Sequence, residues 1–126
     1  MDLNREQTIL VVDDDAMMIR SIREMLQEKY DVIAAMVGEK ALQLVEKKKP
    51  DLVLLDYAMP GMDGKRVFER ILEMEYRKDT PVVFMTAVSD RKKIIEVLQH
   101  KPAGYVLKPP DKDKLMEKIE EVLKLC

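Results

Sequence analysis

Five short apolar runs alternate along the chain with five longer segments of a different rhythm. The runs are Ile9-Leu10-Val11-Val12, Val32-Ile33-Ala34-Ala35-Met36, Leu52-Val53-Leu54-Leu55, Val82-Val83-Phe84-Met85 and Ala103 to Leu107. They are rich in Val and Ile and apolar without alternation, which predicts short strands covered on both faces. In the intervening segments the apolar residues recur at helical spacing: Ile19, Ile22 and Leu26; Ala41, Leu44 and Val45; Val67, Phe68, Ile71 and Leu72; Ile94, Val97 and Leu98; Leu115, Ile119, Val122 and Leu123. Each set marks one face of an amphipathic helix. Ser89 and Asp111 are placed to cap the fourth and fifth helices, and Lys49-Pro50 and Thr80-Pro81 separate helices from the strands that follow.

Strand and helix thus repeat five times in order. That alternation predicts an α/β fold, a single domain with a doubly wound parallel sheet and helices on both faces. No linker, repeat or low-complexity stretch interrupts it. In such sheets, ligands bind beyond the carboxyl ends of the strands, near the switch in strand order.

Composition narrows the reading. The chain has 126 residues, the size of one domain, with 47% hydrophobic residues, enough for one core. Its 22 basic and 24 acidic side chains nearly cancel, and no basic block supports a direct nucleic-acid surface. No apolar run is long enough to span a membrane. The N-terminus lacks the regions of a signal peptide, and the single cysteine, Cys126, cannot form an internal disulfide. Together these point to a cytoplasmic protein.

Chemistry-bearing residues follow the apolar runs directly. The first run ends in Asp13-Asp14-Asp15, the third in Asp56, the fourth in Thr86, and the fifth is followed by Lys108-Pro109. All should meet at one edge of the sheet. Crowded carboxylates repel one another unless a cation intervenes, and hard oxygen ligands without His or Cys favour Mg²⁺. A carboxylate beside the metal could attack phosphorus. The lysine could contact both that carboxylate and the phosphoryl oxygens, and the threonine could donate a hydrogen bond to them. Each residue also has a plainer reading. Asp15 alone is a helix cap, Thr86 a turn residue, Lys108 a surface charge and Tyr105 a core aromatic. Asp63 is read as a helix cap, Gly61 and Gly64 as turn residues, and His100 as exposed. The coincidence at one edge carries the chemical reading.

Four stretches also carry a family resemblance. Ile9 to Asp15, Leu54-Leu55-Asp56-Tyr57-Ala58-Met59-Pro60-Gly61-Met62-Asp63-Gly64, Met85-Thr86-Ala87 and Ala103 to Pro109 resemble, in order and spacing, the receiver domain of bacterial response regulators. The resemblance runs through residues 1–126, with no output domain among them. It implies a CheY-like, flavodoxin-like (βα)₅ fold with strand order 2-1-3-4-5. It implies that Asp56 is phosphorylated by a histidine kinase or phosphotransfer protein. Asp14 would bind Mg²⁺ directly, Asp13 directly or through water, and the backbone carbonyl of Ala58 would be a further ligand, with Mn²⁺ able to substitute. Lys108 would pair with Asp56 or its phosphate, Thr86 would turn toward the phosphate, and Tyr105 would swing inward. A cis bond is expected at Lys108-Pro109. The switch surface falls on the fourth helix, fifth strand and fifth helix, where a downstream protein target, a fused output domain or a second copy would dock. Two positions depart from the usual pattern. Pro110 replaces a residue more often aromatic or apolar, and Ala58 presents no polar side chain near the site.

Two other functions compete. Asp13-Asp14-Asp15 superficially matches the nucleophile loop of haloacid-dehalogenase-like phosphatases, but Met17 stands where threonine or valine is expected and no later acidic pair follows a strand. A receiver-like binding module that ignores phosphate is the second, opposed by the intact Asp56, Thr86 and Lys108. On the signalling reading, self-phosphorylation and self-dephosphorylation are slow and the chain is no true enzyme.

Overall fold

The computed structural model describes residues 7–75, 79–87, 91–99 and 101–124 and, within the helix at 91–98, the side chains at 92, 95, 96 and 98. The elements follow the expected order: β1 (Thr8–Val12), α1 (Ala16–Leu26), β2 (Asp31–Ala35), α2 (Gly38–Lys48), β3 (Leu52–Asp56), α3 (Gly64–Glu73), β4 (Val82–Thr86), α4 (Arg91–Leu98), β5 (Gly104–Leu107) and α5 (Lys112–Lys124). The strands form one parallel sheet in the order β2-β1-β3-β4-β5, the order the resemblance implies. The Ser89 cap, His100 and Cys126 lie outside the described residues, as do the side chains of Ile94 and Val97. Among the described residues, no helix is long and apolar enough to cross a membrane.

Strand alternation divides the core between the two faces of the sheet. On one face Ile9, Val11, Leu52, Leu54, Val83 and Met85 pack against Ile19, Ile22 and Leu26 of α1 and Leu115, Ile119 and Val122 of α5. On the other, Leu10, Val12, Val53, Leu55, Val82 and Phe84 pack against Ala41, Leu42 and Val45 of α2 and Val67, Phe68 and Ile71 of α3. Phe84 meets the rings of Phe68 and Tyr57 edge-on, at centroid separations of 5.4 and 6.0 Å.

The expectation of strands covered on both faces holds for β1, β3 and β4 and fails at the edges of the sheet. In β5, Val106 faces the α1/α5 layer, while Tyr105 and Leu107 point to the opposite face and stay 42% and 47% exposed. An edge strand has a neighbour on one side only, and an apolar run does not announce that it lies at an edge. Leu72, on the rim of the α3 stripe, is likewise exposed.

Helix starts follow local chemistry. The carboxylates of Asp15, Asp63 and Asp111 accept hydrogen bonds from the backbone N–H groups of Met17, Arg66 and Lys114, which would otherwise be orphaned at the first turn. Gly64 is the first residue of α3 and not a turn residue. A Cβ there would stand 2.3 Å from the Asp56 carbonyl oxygen and 2.8 Å from Tyr57 Cα, so the absent side chain lets α3 begin directly against the end of β3. Gly61 is different: its φ of +75° suits glycine, but the space around it is open. Gly64→Ala should therefore cost about 2 kcal/mol or more, through displaced backbone. Gly61→Ala should cost about 1 kcal/mol, through the left-handed conformation alone. Urea denaturation of the two variants checks the order; equal costs would contradict the packing account.

Candidate functional site

Strand register brings the sequence-predicted residues to one edge. Val12 is level with Leu55, Asp56 with Met85, and Thr86 with Leu107. The ladder runs one step beyond the strands: the Asp13 N–H donates to Ala35 O and the Lys108 N–H to Thr86 O. Asp13, Asp56, Thr86 and Lys108 therefore sit side by side at the carboxyl ends of β1, β3, β4 and β5.

Asp13, Asp56 and Thr86 are 0%, 4% and 1% exposed, the buried polar side chains among the described residues. Carboxylates this deep need compensation. Lys108 supplies it, with Nζ 2.9 Å from Asp13 Oδ2 and 3.4 Å from Asp56 Oδ1. Asp13 Oδ1 accepts a further hydrogen bond from the Asp15 N–H at 2.9 Å. Both oxygens of Asp13 are thus engaged within the protein, while Asp14 is exposed. Carboxylate oxygens of Asp13, Asp14 and Asp56 lie within 4.8 Å of one another, close enough to share one cation.

The compensation is incomplete at Asp56. Burial, and then the neighbouring Asp13 charge, push its pKa up to about 6, against the opposing pull of Lys108 and of a hydrogen bond from the Ala58 backbone. For Lys108, burial works to lower the pKa, and the Asp13 hydrogen bond and the Asp56 charge outweigh it, so the ammonium is held above its ordinary value.

The other expected positions are placed as follows. Asp15 caps α1, and Asp63 caps α3. The Thr86 hydroxyl lies 3.4 Å from the Ala87 carbonyl, a weak local contact. Tyr105 is not a core aromatic: it is half-exposed, on the outer face of β5. The Lys108–Pro109 peptide bond is cis. Ala58 is exposed beside Asp56, and Pro110 is buried at the start of α5. Two roles escaped the sequence reading. Gly64 sets how closely α3 meets Asp56, and Glu96 of α4 walls a hollow next to Ala58. Gly64 carried a faint signal in the Asp63-Gly64 step that opens a helix; Glu96 read as one more charge on a helix surface.

A family model of the response regulator receiver domain matches residues 9–120. The chain belongs to the response regulator receiver domain family. Its function class is that of a receiver domain of two-component signalling, a family of signalling phosphoacceptors that bind Mg²⁺. The receiver is 36% identical over 125 residues to the probable transcriptional regulator ycf27 of Porphyridium aerugineum, covering 95% of this chain and 49% of that protein. It thus spans about half the length of that relative. It is 34% identical over 122 residues to the chemotaxis protein CheY-3 of Vibrio cholerae, covering 95% of this chain and 94% of the relative. Among solved structures, a putative response regulator from Chloroflexus aurantiacus superposes with a TM-score of 0.90 at 29% identity, over 95% of this chain and 99% of that one.

The raised pKa of Asp56 has a stability consequence. The folded receiver holds this proton more tightly than the unfolded chain does. The stability linked to it is fully present below the ordinary value of 3.8 and is lost as pH rises through about 6. Without divalent cations, Asp56→Asn should therefore gain on the wild type as pH rises from about 4 to about 7. The gain should reach on the order of 1–3 kcal/mol. Urea denaturation across this range reads it, and a difference that does not vary with pH contradicts it.

Proposed function

We propose that Asp56 is the phosphoacceptor of this receiver and that Asp13, Asp14, Thr86 and Lys108 serve its phosphorylation. The observation that carries the reading is the pairing of a buried, under-compensated Asp56 carboxylate with Lys108 at the mouth of the sheet. An oxygen of Asp56 attacks the phosphorus of a phosphohistidine on a histidine kinase or phosphotransfer protein. A P–O bond forms, the P–N bond breaks, and the electron pair leaves with the imidazole.

The donor set fits Mg²⁺, being oxygen only, with carboxylates in excess over cations. Asp14 and Asp56, with the Ala58 carbonyl, would hold it directly, and Asp13, whose two oxygens already accept hydrogen bonds, would do so through water. When bound, the metal supplies neutralising charge for the transferring group; Mn²⁺ fits the same donors. Lys108, already shared between Asp13 and Asp56, is in place to follow the new negative charge onto the phosphoryl oxygens. Thr86 has only a weak contact to give up before its hydroxyl turns the same way. Tyr105, half-exposed behind it, then moves inward. The proposed output surface is formed by α4, β5 and α5, where Ile95 and Leu98 of α4 and Tyr105 and Leu107 of β5 are exposed, apolar area suited to a protein target, an output domain or a second copy. We place this signalling step in the cytoplasm, with slow self-phosphorylation and self-dephosphorylation as the receiver's only own chemistry.

Intact-mass measurement after incubation with phosphoramidate tests the reading. The wild type should gain one phosphate with Mg²⁺ and none with EDTA, and Asp56→Asn should gain none. Phosphate retained in the variant and mapped to Asp13 would favour the phosphatase-like alternative. No gain by the folded wild type would favour a phosphate-independent binding module.

A further inference from the structure

Ala58, Met59, Pro60 and Asp63, together with Tyr57, form one side of an open hollow of ≈ 560 Å³, and Glu96 of α4 stands on its wall. The hollow begins one hydrogen bond from the nucleophile, because the Ala58 backbone that lines it donates to the Asp56 carboxylate. It is open there because Ala58 has no side chain beyond Cβ. Its charged lining is carboxylate: Asp63, fixed in place as the cap of α3, and Glu96, exposed on α4. Among the described residues that line it none is basic, and Lys92, one helical turn before Glu96, is exposed and not part of the lining.

We infer that this hollow selects phosphoryl donors by the charge of their leaving group, and that Glu96 is the residue that sets the selection. The inference rests on Asp56 being the phosphoacceptor. As an Asp56 oxygen bonds to phosphorus, the bond from phosphorus to the leaving atom breaks and the electron pair departs with that atom. From an acyl phosphate the departing group is a carboxylate, and its negative charge grows toward Glu96 and Asp63. From a phosphoramidate or phosphoimidazole protonated on nitrogen it departs as a neutral amine or imidazole, and no anion is driven into the hollow. Carboxylate walls therefore slow transfer from small acyl phosphates and leave nitrogen donors untouched, which keeps the receiver answerable to phosphohistidine. Across partly solvated space each wall charge is worth about threefold in rate, and salt screens it.

The test is the initial rate of phosphate incorporation, read by intact mass with Mg²⁺, from acetyl phosphate and from phosphoramidate. The proteins are the full chain, Glu96→Gln and Glu96→Lys, at low and high salt. Glu96→Gln should raise the acetyl phosphate rate about threefold and Glu96→Lys about tenfold, while the phosphoramidate rate stays within about twofold. High salt should shrink the difference. If both donors label the wild type and their rate ratio is the same in Glu96→Lys, Glu96 does not select and the inference falls while the phosphoacceptor reading stands. If neither donor labels the wild type, that reading falls and takes the inference with it.

Discussion

Two buried carboxylates share a single ammonium at the mouth of the sheet, and the functional edge of this protein is arranged around that shortfall of positive charge. Lys108 bonds Asp13 at 2.9 Å and reaches Asp56 at 3.4 Å. One cation cannot fully neutralise both, so burial and the Asp13 charge leave Asp56 with a pKa near 6. On the proposed reading, an edge in this condition attracts a further cation, and its least satisfied carboxylate, Asp56, takes the phosphoryl group. A change of charge at Asp56 must be answered by Lys108, which it shares with Asp13, and that coupling is what the proposed switch would use.

The fold supplies the arrangement through topology. β1 lies between β2 and β3, so the chain leaves β1 toward one edge and returns to its other side for β3. This is the point at which strand order reverses, where neighbouring helices diverge and leave the strand ends accessible. Asp13 and Asp56 stand on either side of it. Close approach of α3, permitted by Gly64, holds the Asp56 backbone from behind, and the Asp15 and Asp63 caps fix the loops that flank the pair.

Much of this was legible in the sequence because the signals were redundant. The apolar runs at 9–12, 52–55 and 82–85 are buried on both faces, as their unbroken apolar character predicts, and each is followed directly by a residue of the candidate site. The fifth run was legible as a strand but not as an edge, which is why Tyr105 and Leu107 read as core and stand exposed. Contacts between elements distant in sequence were harder. Nothing local says that Lys108 favours Asp13 over Asp56, since that preference depends on the register of β1, β3, β4 and β5 together. Glu96 was invisible for the same reason: its neighbours across the hollow come from the loop after β3, over thirty residues earlier in the chain.

The central claim is that unbalanced carboxylate charge makes this edge a cation site. Calorimetric titration of Mg²⁺ into the wild type and into Asp56→Asn, at neutral pH, tests it most directly. One Mg²⁺ should bind the wild type, and the variant, having lost both a ligand and the charge, should bind it about tenfold more weakly or worse. Equal binding by the two proteins, or none by the folded wild type, would contradict the account.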